Sequence, residues 1–161
     1  MLAAIFENFS WSSFTVGAFV SWVFGKIVPV FLKEYLTTKR DKKKAIGVRC
    51  NQLCDAVHDI TKSAANIFCL DYDREKSVKV KTDYHNIAVL ITELNNDLHS
   101  FGFSDHQVKS KLIIDFRQAI TEKILSPRTD RYNADDLVVL NIYDKSNALI
   151  NCLREINRHV S

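Results

Sequence analysis

From Ile46 onward, apolar and small residues recur in alternating steps of four and three, at Ile46, Cys50, Leu53, Val57, Ile60, Ala64 and Ile67. Steps of that size keep side chains on one face of an α-helix, so the spacing predicts a long helix with a heptad seam, beginning near residue 42. The charged stretch Asp71-Tyr72-Asp73-Arg74-Glu75-Lys76 interrupts the pattern and predicts a turn. A second seam follows at Val80, Tyr84, Ile87, Ile91, Leu94, Leu98 and Phe101, with Gly102 as its stop signal.

Ser104 with Gln107 three residues later matches a capping box, and the stripe Val108, Leu112, Phe116, Ala119 or Ile120, and Ile124 predicts a third helix ending near Ser126-Pro127. Asn133 is a candidate N-cap for a fourth helix, with Asp135 and Asp136 complementing its dipole. That helix carries Val139, Ile142, Ser146, Leu149, Leu153, Ile156 and Val160 on one face. Amphipathic helices joined by short connections favour an up-down-up-down arrangement.

The start of the chain reads differently. An apolar run from Phe14 to Leu32, broken by Lys26, leads into Lys33, Lys39, Arg40, Lys42, Lys43, Lys44 and Arg49. A hydrocarbon layer about 30 Å thick takes roughly 20 mostly apolar helical residues, and basic flanks stay on the cytoplasmic side. The expected fold is therefore all-α: an N-terminal single transmembrane helix followed by an antiparallel four-helix bundle. Residues 1–36 are the anchor, 37–49 a basic juxtamembrane collar and 50–161 the cytoplasmic bundle.

Two placements of the span are open. One runs from about Phe9 to Gly25, with Lys26 at the inner interface and Trp11 and Trp22 near the two headgroup belts. The other runs from Phe14 to Tyr35 and leaves Lys26 near mid-depth, where a charge costs roughly 2.5–3.5 kcal/mol. Both place the N-terminus outside and the bundle at the cytoplasmic face of an inner or plasma membrane. No basic segment precedes the apolar run and no small-residue cleavage site follows it, so the sequence reads as a retained anchor rather than a signal peptide.

Composition sharpens this division. The 161 residues are 47% hydrophobic, with ten Phe but four Gly and two Pro, as expected of long helices. The net charge of +3 is unevenly spread: Lys33 to Arg49 holds seven basic against two acidic residues, whereas Cys50 to Ser161 holds 14 against 16. A local collar suits anionic lipid headgroups, and a body of slightly negative balance argues against a nucleic-acid partner. Cys50, Cys54, Cys69 and Cys152 have no disulfide-framework spacing and fit free thiols in a reducing compartment.

Candidate chemistry is sparse. Cys50, Cys54 and His58 stand at i, i+4 and i+8, a spacing with which one helix can offer three metal ligands, although no second Cys/His pair supplies a fourth. Asp55-x-x-His58 is half of a di-iron carboxylate-histidine pattern, and Asp71-x-Asp73-x-Glu75 begins like a calcium loop but has Lys76 where the turn glycine belongs. Core packing and a solvated turn are the favoured readings, and no cofactor is expected. The many helical Asn, among them Asn86, Asn95, Asn96, Asn141, Asn147, Asn151 and Asn157, are expected to be mostly exposed.

Arg154 and His159 enclose four residues, and this R-x4-H spacing resembles the motif of the HEPN ribonucleases, a family of small helical bundles. The resemblance covers one short motif, and Glu155 stands where that family often has a small polar residue. It implies that Arg154 and His159 act on RNA across a dimer cleft.

No phosphate-binding glycine loop, nucleophile elbow or zinc-protease helix is present. The expected role is non-enzymatic: a bundle that binds, scaffolds or oligomerises at the cytoplasmic membrane face, with a protein partner or further copies of itself. The alternative is a membrane-perturbing effector, a toxin or defence component, whose N-terminal helix the bundle controls.

Overall fold

A computed structural model describes residues 28–70, 73–121 and 132–160, and every described element is helical. The helices are α1 (Val28–Cys69), α2 (Arg74–Ser100), α3 (Ser110–Thr121) and α4 (Leu137–Val160), with a 3-10 turn at Ser104–His106 between α2 and α3. The chain divides into two compact units, Met1–Asp41 and Lys42–Ser161, so the second unit begins upstream of Cys50.

Helix α1 starts earlier than the heptad seam implies. Pro29 sits in its first turn, where a missing N–H costs nothing, and no Gly or Pro interrupts the stretch from Val30 to Ile46. Collar and first bundle helix are thus one continuous helix. Among the described residues, no helix is long and apolar enough to cross a membrane. The Phe9–Gly25 placement of the span, with Trp11, Trp22 and Lys26, lies outside the described residues; of the Phe14–Tyr35 placement, only Val28–Tyr35 lies within them.

Within the second unit the helices run up and down around one core. Asn157 and Asn51, Ile150 and Cys54, and Ser146 and Thr61 are successive partners of α4 and α1, an antiparallel order. Arg49, midway along α1, pairs with Asp97 in the last turn of α2, far from their short joint. Tyr84 of α2 donates its hydroxyl to the Ile113 carbonyl of α3 at 3.3 Å, and its ring lies 6.2 Å from that of Phe116. All seven seam positions of α1 and all seven of α4 are buried; on α2, Tyr84 and Phe101 are half-buried and the other five fully so.

The joints hold the departures from expectation. Asp73 caps α2, its carboxylate accepting from the N–H groups of Glu75 and Lys76 at 2.9 and 3.1 Å. Those bonds hold its carboxyl below the ordinary range, while Asp71 lies outside the described residues. Helix α2 closes at Gly102, φ +82°, where Phe103 N–H reaches the Leu98 carbonyl at 2.7 Å and Gly102 N–H that of His99 at 3.2 Å. This left-handed closure is the stop that Gly102 signalled.

The expected capping box at Ser104 does not form. The Ser104 hydroxyl is 3.0 Å from His99 Nδ1, Gln107 donates to the Asn95 carbonyl at 3.0 Å, and α3 begins only at Ser110. Asn133 does not cap α4 either. Its N–H donates to the Asp136 carboxylate at 2.7 Å, while the Asp136 carbonyl accepts from Leu140, which makes Asp136 the capping position. Ile124, Ser126 and Pro127 lie outside the described residues.

Candidate functional site

The first described turns of α1 carry large, exposed apolar side chains. Phe31 and Leu32 are each 53% exposed, Tyr35 63% and Leu36 60%. At about 100° per residue these four positions fall within about 140° of the helix, so they form one apolar face that stays exposed. The basic residues that follow fall into two groups. Lys33, Lys39, Arg40 and Lys44 are exposed and take no ion pair among the described residues. Lys42 and Lys43 instead set their ammonium groups 4.7 and 6.0 Å from the ring centres of Phe101 and Phe103, so part of the collar packs on the end of α2.

The groove with the most varied side chains lies between the 3-10 turn, the start of α3 and the last turns of α4. His106 and His159 stack at its end, ring centres 4.6 Å apart and planes 15° from parallel. Lys109, Asp115, Cys152 and Glu155 also line it, within a volume of about 560 Å³. Its charges are of both signs, and its histidines present ring faces to each other rather than nitrogens to a shared centre. That arrangement suits contact with a mixed polar surface better than ligation.

Its backbone frame is set by Asn95 of α2, whose carboxamide donates to the Val108 carbonyl at 3.1 Å and accepts from the Val108 N–H at 2.9 Å. The amide thereby satisfies both backbone groups of a residue that is 3% exposed, in a segment with no helical partner of its own. Most of the other Asn are exposed as expected, whereas Asn95 and Asn157 are half-buried. Asn157 donates to Asn51 at 3.1 Å, and its carboxamide occupies the space beside Gly47 where a Cβ would come within 2.8 Å. Nothing in the periodicity marks Asn95, because its significance comes from a loop that has no period.

The sequence-selected residues do not converge. Arg154 is exposed and lies close enough to Cys54 to oppose the rise of its pKa, while His159 packs on His106. Five residues of helix separate their directions by about 140°, so one chain does not gather both into one cleft. His58 is exposed whereas Cys50 is fully buried, because eight residues drift about 80° around an α-helix. Among the described residues no three His, Cys, Asp or Glu side chains come together to hold a metal.

The thiols behave as core groups. Burial, with lesser contributions from the Cys54 and Cys152 thiols, pushes Cys50 up to about 11. Burial also raises Cys54, against the opposing charge of Arg154, and raises Cys152, against Lys109. Cys54 donates weakly to the Ile150 carbonyl at 3.9 Å. Thiols held protonated are poor nucleophiles and poor metal ligands near neutral pH.

Comparison of the chain with protein-family profiles, curated proteins and solved structures yields no match in any of the three.

Proposed function

We propose that this protein is a membrane-attached helical bundle that works by binding, its apolar N-terminal segment entering the bilayer as a single anchor and its bundle presenting polar grooves at the cytoplasmic face. The observation that carries this reading is the exposed apolar set Phe31, Leu32, Tyr35 and Leu36, which continues the apolar sequence upstream and is followed within one helix by exposed Lys39, Arg40 and Lys44. An exposed face of aromatic and aliphatic side chains is costly in water and favourable in lipid. Basic residues just beyond them add roughly 1 kcal/mol each near an anionic surface.

The test uses the full chain expressed in cells and mixed with vesicles. Membranes washed with alkaline carbonate should retain it. Reversing Lys39, Arg40 and Lys44 to Glu should weaken flotation with vesicles containing phosphatidylserine more than with phosphatidylcholine alone. Complete release by carbonate, with no flotation on either vesicle, would overturn the reading.

A further inference from the structure

A second groove runs along α1 and α2 on the bundle surface. It consists of two lobes of about 300 and 370 Å³ that share Ser63, Lys79 and Asp83. Its floor is apolar and buried, formed by Ile60, Ile67, Val80 and Ile87, and its two ends are marked by Leu70, 58% exposed, and Leu90, 41% exposed. Exposed leucines flanking a charged groove are the form of a protein contact.

The charge along the groove is ordered. Lys76 lines the lobe nearer the α1–α2 joint and Asp59 the lobe beyond it, while Lys79 and Asp83 line both, with Lys79 one helical turn nearer the joint. Lys76 is engaged with Asp73 at 3.3 Å, but Lys79, Asp83 and Asp59 take no ion pair among the described residues. Lys79 precedes Asp83 by four on one helix, the weaker orientation for pairing within a helix. A surface whose positive half continues into a negative half is complementary to itself when turned end for end.

We propose that two copies of this chain associate through the α1–α2 groove, antiparallel about a two-fold axis that crosses α2 between Lys79 and Asp83. Each Lys79 then faces Asp83 of the other copy, so one contact is made twice, as an isologous interface requires. The four charges at the centre fix the register. This names the partner in the binding role proposed above and rests on that reading. The membrane test and the association test read different properties, since neither Lys79 nor Asp83 lies in the anchor or collar.

The experiment measures self-association of the full chain in a neutral detergent by sedimentation equilibrium, with energy transfer between differently labelled copies. Wild type should form dimers, and Lys79→Glu or Asp83→Lys alone should weaken them at least tenfold by setting like charges against each other. Mixing the two variants should restore association as heterodimers, because each reversed charge then meets an opposite one across the axis, and the two unchanged charges also meet. The chain carrying both changes should again pair with itself, while flotation on vesicles stays that of wild type. A monomeric wild type, single variants that dimerise as wild type does, or a mixture that stays monomeric would each overturn the proposal.

Discussion

One helix contains two environments. Between Ile46 and Phe68, α1 buries an apolar stripe against α2 and α4 and leaves Val48 exposed; between Val30 and Leu36 its large apolar residues are all exposed. Backbone conformation is the same in both. Helical propensity therefore makes α1 continuous, while the presence or absence of a packed neighbour separates the two stretches.

Leucine truncation gives the largest contrast between the halves. Leu53→Ala, at a site 1% exposed, should destabilise the bundle by about 2–5 kcal/mol through lost burial and the cavity left behind. Leu32→Ala should leave the urea midpoint of the bundle within about 0.5 kcal/mol of wild type, yet lower the fraction of chain floating with vesicles. Equal losses of stability at the two positions would break the distinction.

A smaller effect should separate two threonines with the same local bond. Thr61 and Thr37 each donate to the carbonyl four residues back, at 2.6 and 2.8 Å, but Thr61 is buried and also lies 2.8 Å from the Ser146 hydroxyl. Thr61→Val should cost about 1–3 kcal/mol because Ser146 then keeps a buried hydroxyl without that partner, and adding Ser146→Ala should recover much of it. Thr37→Val should change thermal unfolding hardly at all.

The smallest effect is a titration. Because folding raises the Cys50 pKa from 9.0 to about 11, the unfolded chain loses this proton first as pH rises. Stability from this group is complete below pH 9 and declines between pH 9 and 11. Cys50→Ala should have a lower plateau at neutral pH but a shallower decline across that window, measured by denaturant unfolding at each pH. Identical slopes would show that burial at this position does not reach the thiol.

Periodicity made the core legible. The α1 and α4 seams needed only the 3.6-residue repeat, and every one of their positions is buried. The joints were less legible, because capping signatures are short and neighbours compete for them: Ser104 is drawn to His99, and Asp136 displaces Asn133. The stacked His106 and His159 come from elements 53 positions apart in the chain, and no local pattern relates a turn residue to the end of α4. Among the metal candidates, i, i+4 and i+8 look aligned on paper, but the drift of the real helix leaves His58 outside.

The Asn95 clamp also sets a rule for divergence. It grips Val108 only through main-chain N–H and C=O, so it reads position rather than identity. Position 108 itself can then vary among descendants of this chain while the loop keeps its place, provided it stays apolar enough for its burial. Position 95 has no such freedom: aspartate lacks the donor, and glutamine carries an extra methylene where the spacing is already fixed. Across a set of relatives, the residue that holds this loop should be found outside it, one helix away, and unchanged.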